Sequence, residues 1–171
     1  PAGHREGAGD HREEGGDHMM RFEDAAKACG IVAILRGVTP EEVAGIGEAL
    51  HDAGIRVVEV PLNSPEPFRS IATLAARFQN RMVVGAGTVL DVDSVDQLKS
   101  AGGQISVSPD CNPQVIARAV ESGLVPLPGV FTPTEAFTAV RAGARAGNST
   151  IGVAISDRLW ATFVLRIEAA L

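Results

Sequence analysis

Short apolar runs alternate with segments of helical period from Ile31 onward, and glycine, proline or polar turn residues separate them. The apolar runs are continuous, which is typical of parallel strands that are covered on both faces. Five such runs predict strands at 31–35, 56–60, 82–85, 104–107 and 124–127. The segments between and after them predict helices at 39–53, 65–78, 92–100, 113–123 and 132–141. This alternation of strands and helices predicts an α/β fold with a parallel sheet covered by helices.

Two architectures satisfy the pattern, a (β/α)8 barrel and an open doubly wound sheet. No glycine-rich dinucleotide fingerprint opens the first helix. Polar residues recur just past the strand ends, which is where barrel enzymes place their chemistry. We therefore favour the (β/α)8 TIM-barrel family.

Composition and charge narrow the range of partners. The chain has 171 residues, 45% hydrophobic content and a formal net charge of -6. The negative charge argues against binding to nucleic acid or to an anionic membrane surface. No apolar run is long enough to cross a bilayer, and Cys29 and Cys111 lack metal-ligand spacing. We expect a cytoplasmic protein with reduced thiols.

Residues 1–18 form a low-complexity stretch of glycine, histidine, arginine and acids. His4, His11 and His18 could in principle bind a metal, but their spacing suits no compact ligand set. A disordered tail is the favoured interpretation, because the stretch has nothing to bury. The predicted organisation is therefore a tail at 1–18, a barrel at 19–146 and a divergent segment at 147–171.

Six polar residues lie at or near the carboxyl ends of the predicted strands: Arg36, Glu59, Asn63, Thr88, Ser108 and Thr132. Glu59 stands between Val58 and Val60, so its side chain is expected to point into the barrel mouth. Burial would raise its pKa and suit it to proton transfer. The alternative is a buried glutamate paired with Arg36, and the two interpretations are compatible.

Other polar positions are less specific. Arg36 could hold a carboxylate or phosphate, or could be a surface arginine. The stretch from Gly85 to Thr88 would let backbone approach a ligand closely and would add one hydroxyl. His51 and Asp52 are interpreted as a capping or surface pair rather than a catalytic dyad.

Several motifs in order give the chain a specific resemblance. They are AILRGVTPEE, VVEVPLNSPEP, VVGAGTVL, ISVSPDCNPQVI and PGVFTPTEAFTAVRAGARA. Between Met20 and Ala146 the chain resembles the keto-deoxy-phosphogluconate/phosphogalactonate aldolase family. LRG at Leu35 to Gly37 and PLNS, with Asn63, are similar to its phosphogalactonate branch.

The resemblance implies a class I aldolase that cleaves 2-dehydro-3-deoxy-6-phosphogalactonate to pyruvate and glyceraldehyde 3-phosphate, with no metal and no cofactor. An imine formed by a lysine on the sixth strand is the electron sink. By resemblance, Glu59 is the general acid/base, Arg36 and Thr88 contact the substrate, and Pro109 lines the pyruvate pocket. A homotrimer is implied by analogy.

The chain departs from the family after Ala146. Asn148 stands where the imine-forming lysine is expected, and an amide cannot form an imine. Lys27 and Lys99 are the only lysines, and neither is expected to reach the barrel mouth. The abrupt change is interpreted as a frameshift or sequencing error, with genuine divergence as the alternative.

The family's last two βα units are absent, which predicts an incomplete barrel of about six units. Residues 150–155 predict a short strand, and Ser156 and Asp157 are expected to open a helix. The first and sixth strands would then have exposed edges. Two other functions stay open: a catalytically dead barrel that binds small acids or other subunits, and a phosphate-binding barrel isomerase with Glu59 as base.

Overall fold

The computed structural model describes residues 19–154 and 159–165. The seven described strands are β1 Ile31–Leu35, β2 Val57–Pro61, β3 Val83–Gly87, β4 Ile105–Val107, β5 Val125–Leu127, β6 Gly147–Ala154 and β7 Leu159–Leu165. The six described helices are α1 Phe22–Ala28, α2 Val43–Asp52, α3 Pro67–Phe78, α4 Val92–Ser100, α5 Pro113–Glu121 and α6 Pro133–Arg141. The interpretation of residues 1–18 as a tail lies outside the described residues. None of the described helices is both long and apolar enough to cross a membrane.

The five predicted strands form a parallel sheet in chain order, from β1 to β5. The predicted α/β barrel-type class is confirmed. Helix α1 was not predicted; Phe22 and Ala25 on this helix pack into the apolar cluster that contains Val32, Val57 and Val83. Since these valines lie at or near the starts of their strands, α1 covers the amino-terminal end of the sheet.

Alternate residues of β2 face two different cores. Val58 and Val60 belong to the cluster that includes Leu74 and Phe78 of α3, so they face the helices. Val57 belongs instead to the cluster formed by the inner faces of the strands. Because side chains alternate along a strand, residue 59 shares the inner face with Val57.

The C-terminal segment differs from its prediction. A strand was expected at 150–155, and Gly147–Ala154 is a strand. The predicted helix is wrong within the described residues, because Leu159–Leu165 is a strand that pairs antiparallel with β1 and with β6. The sequence LWATFVL is rich in aromatic and β-branched residues, which favour strands. If this segment were a helix, the outer edge of β1 would have no hydrogen-bond partner, whereas β7 pairs with that edge.

The hairpin of β6 and β7 lies beside β1, the first strand of the sheet. The sheet order is β5-β4-β3-β2-β1-β7-β6. Asn148 at the start of β6 also bridges Gly129 in parallel, beyond the end of β5. Its backbone N–H donates to the Pro128 carbonyl at 2.9 Å, and its carbonyl accepts from the Val130 N–H at 3.1 Å. The described strands therefore form a nearly closed ring of five βα units and a hairpin, and β1 does not have the exposed edge that was expected.

Candidate functional site

Glu59 lies on β2 with its side chain inside the ring of strands. It is 4% exposed. Its backbone is in register with Ile34 on β1 and with Gly85 on β3. The carboxyl group extends beyond Gly85 and lies against Gly87, the next inward-facing position of β3, where a Cβ atom would collide with both carboxyl oxygens. The prediction that Glu59 points into the barrel agrees with this geometry.

The surroundings of this carboxyl favour its protonated form. Oε2 is buried and has no hydrogen-bond partner. Burial raises the pKa of Glu59 to about 8, against a smaller opposing effect of the Arg36 charge. A carboxyl with this pKa exchanges protons near neutral pH, as a general acid/base must.

Arg36 directly follows β1 and is exposed at the carboxyl end of the strands. Its charge lowers the pKa of Glu59, so the two groups sense each other electrostatically. Within the described part of the chain, no ion pair of 4.0 Å or less joins them. The predicted Arg36–Glu59 pair is therefore a longer-range interaction, which leaves the guanidinium available to an anionic ligand.

Thr88 and Pro109 lie at the same edge. Thr88 follows β3 and has a left-handed backbone conformation, with φ of 60°. Such a conformation costs a non-glycine residue about 1 kcal/mol or more and is frequent at functional sites. Pro109 follows β4 and is exposed. The Ser108 N–H before it donates to the Leu127 carbonyl at 3.2 Å, and the Ser108 hydroxyl donates to the Val89 carbonyl at 2.8 Å. These bonds fix the position of Pro109.

Asn148 is buried among the carboxyl ends of β4 and β5. Its Nδ2 donates to the Leu127 carbonyl at 2.6 Å and to the Ser108 carbonyl at 3.2 Å. Both amide hydrogens are therefore used to join β6 to its neighbours. An amide nitrogen is also not a nucleophile, so this side chain cannot supply covalent catalysis.

Of three further polar residues, two have structural contacts and one is exposed. Ser64 is buried and accepts a hydrogen bond from the Gly37 N–H at 3.1 Å, which joins the loops after β1 and β2. No motif in the sequence predicted this hydrogen bond. Thr132 is the N-cap of α6 and forms a capping box with Glu135, so it belongs to the helix start and not to the site. Asn63 is exposed.

His51 and Asp52 lie 3.5 Å apart at the end of α2. With Glu48 they place three possible metal ligands within 4.8 Å of one another. Glu48 already accepts hydrogen bonds from Arg77 at 2.8 Å and from Arg81 at 3.2 Å. A divalent cation would have to displace or oppose these two charges, so the surface-pair interpretation of His51 and Asp52 is the better supported one.

Comparisons with known proteins agree with this geometry. The family of KDPG and KHG aldolases matches residues 22–148. A probable 2-dehydro-3-deoxy-6-phosphogalactonate aldolase of Rhizobium meliloti (strain 1021) is 49% identical over 114 residues, covering 67% of this chain and 54% of the relative. The 2-dehydro-3-deoxy-6-phosphogalactonate aldolase of Escherichia coli (strain K12) is 46% identical over 116 residues, covering 68% of this chain and 57% of the relative.

The structural comparison gives the same result. The solved structure described as native KDPGal has a TM-score of 0.66 and 46% identity, covering 68% of this chain and 56% of that one. The chain thus spans somewhat more than half the length of the relatives that it matches. The matched region contains Glu59, Arg36, Thr88, Pro109 and Asn148. This chain belongs to the KDPG and KHG aldolase family.

Proposed function

We propose that this site serves the reversible cleavage of 2-dehydro-3-deoxy-6-phosphogalactonate to pyruvate and glyceraldehyde 3-phosphate, with Glu59 as the general acid/base. The observation that carries the proposal is the Glu59 carboxyl, which is buried inside the ring of strands and has a pKa of about 8. The names of the relatives supply the substrate class. No metal or cofactor is part of the proposal.

Three residues at the carboxyl ends of the strands are proposed to bind the substrate. Arg36 is the exposed cation above the buried carboxyl and is proposed to hold the substrate's carboxylate or phosphate. Thr88 supplies a hydroxyl at the end of β3, and Pro109 supplies an apolar wall at the end of β4. These three positions lie around the carboxyl edge of the sheet, where barrel enzymes bind their substrates.

The cleavage step defines what position 148 must supply. A lysine amine there would attack the keto carbon C2 and release water to give an imine. Glu59, directly or through a water molecule, then takes the proton of the C4 hydroxyl. The C3–C4 bond breaks, its electron pair forms an enamine, and glyceraldehyde 3-phosphate leaves. Protonation at C3 and hydrolysis release pyruvate and regenerate the amine.

Asn148 cannot perform the first of these steps. The complete reaction is therefore proposed for the site with lysine at position 148, whereas the chain with Asn148 holds a keto acid without a covalent bond. This second function, a small-acid binding barrel, is favoured by one observation: the guanidinium of Arg36 is exposed at the carboxyl ends of the strands, where it can pair with an anion. The trimer implied by the resemblance and the cytoplasmic location expected from the sequence stay predictions.

Borohydride trapping with pyruvate, read by intact mass, tests the proposal. We expect no adduct with the wild type and one reduced pyruvate adduct with Asn148→Lys. Asn80→Lys is the matched control, because residue 80 lies in the turn before β3, at the opposite end of the strands. Circular dichroism confirms that each variant is folded. A folded Asn148→Lys protein that gives neither adduct nor cleavage would contradict the aldolase proposal, and turnover by the wild type without an adduct would favour the isomerase.

A further inference from the structure

We infer that Gly87 is a positioning residue for Glu59: the missing side chain on β3 leaves the space in which the Glu59 carboxyl is held. Its importance for turnover rests on the proposed function, but its effect on the carboxyl can be measured without any reaction.

The backbone at residue 87 does not require glycine. Five glycines among the described residues have positive φ angles, which disfavour any other residue, and Gly87 is not one of them. Gly87 is the last residue of β3 and pairs in register with Pro61 of β2. An alanine would adopt this extended conformation without strain. The glycine at residue 87 is therefore required for the lack of a side chain and not for its backbone conformation.

The space at Gly87 is filled by one side chain. The three atoms closest to a Cβ built at this position are Oε2, Cδ and Oε1 of Glu59, and the closest lies far inside van der Waals contact. The neighbouring glycine differs, because a Cβ at Gly85 would meet the backbone carbonyl of Ile105. Gly85 thus serves strand packing, whereas Gly87 accommodates the functional carboxyl. The sequence had suggested that these glycines let a ligand approach, and the structure places protein atoms there instead.

A methyl group at residue 87 would move the carboxyl. The interior is closed by Val57, Val83 and Ile105 towards the amino ends of the strands, so the open direction is the rim near Arg36. There the carboxyl would regain water and approach a cation. Both changes favour the ionised form, and both would take the carboxyl away from its position over β3.

The experiment is a pH titration of Glu59 by carbon NMR in wild type and Gly87→Ala, with carboxyl-labelled glutamate and Glu59→Gln to assign the signal. We expect the midpoint to fall from near 8 towards the ordinary glutamate range of about 4.3 in Gly87→Ala. The matched control is Gly45→Ala on α2, where a Cβ has nothing within 4 Å. Its midpoint should equal that of the wild type.

A shorter acid provides the rescue. In Glu59→Asp/Gly87→Ala the carboxyl is withdrawn by one methylene, so unfolding by urea should show the destabilisation of Gly87→Ala largely removed. An unchanged Glu59 midpoint in folded Gly87→Ala would overturn the inference. If Gly87→Ala does not fold, Glu59→Ala/Gly87→Ala decides: folding of the double variant supports the inference, and failure to fold shows that glycine is required for another reason.

Discussion

The buried carboxyl of Glu59 predicts a specific dependence of stability on pH. Its pKa is about 8 in the folded protein, against an ordinary value of 4.5. Below pH 4.5 Glu59 is protonated in both the folded and the unfolded state, so its ionisation does not affect the free energy of unfolding. Between pH 4.5 and 8 the unfolded state ionises while the folded state stays protonated, so stability falls as pH rises. At 1.36 kcal/mol per pKa unit, the full loss above pH 8 is about 5 kcal/mol.

The substitution Glu59→Gln removes the ionisable group and therefore its effect on the pH dependence of stability. Urea unfolding of the wild type and of Glu59→Gln at pH 5, 6, 7 and 8 measures this effect. The free energy of unfolding of the variant, relative to wild type, should rise by roughly 3 to 4 kcal/mol between pH 5 and pH 8. The test is the change of this free-energy difference with pH and not its absolute value, because the buried amide of the glutamine adds a cost that is independent of pH.

Glu23→Gln on α1 is the control for Glu59→Gln, because Glu23 is exposed. Its stability curve should run parallel to that of the wild type. Parallel curves for wild type and Glu59→Gln would refute the reasoning, since they would mean that the carboxyl ionises at the same pH in the folded and unfolded states.

Two further predictions concern the neighbours of Glu59. Arg36→Met should move the titration midpoint of Glu59 above 8, because the arginine charge lowers that pKa; a midpoint that stays in place by NMR would show that the two groups do not interact. Asn148→Leu should lower the free energy of unfolding in urea by about 1 to 3 kcal/mol, because the Ser108 carbonyl loses the amide donor and the Leu127 carbonyl keeps only the Ser108 N–H. Asn63→Leu at an exposed position is its control, and equal small effects would contradict the assigned role of Asn148.

The central part of the fold could be predicted from the sequence because its signals are local. Apolar runs mark β1 to β5, and Pro113 and Thr132 mark the starts of α5 and α6. The inward direction of Glu59 followed from the period of two along β2. The short helix α1 was missed because seven residues between the N-terminal stretch and β1 give too little pattern.

The remaining features depend on contacts between distant parts of the chain. Whether LWATFVL forms a helix or a strand is decided by the unpaired edge of β1, which no local period reveals. The role of Gly87 depends on the register between β2 and β3. The bonds of Asn148 to Ser108 and Leu127 require the closed ring. Substitution of the lysine could be recognised from the family motif, but the structural use of the asparagine could not.

The pairing of β7 with β1 has a consequence for the order of folding. Ile31 and Phe163 are partners although more than a hundred residues separate them in sequence. During synthesis, β1 to β5 can associate as each one emerges, but the outer side of β1 stays without hydrogen-bond partners until β7 is available. This interval is when the nascent protein is most vulnerable to association with other chains. Variants that weaken the hairpin should therefore lower the yield of refolding more than they lower the stability of the folded protein.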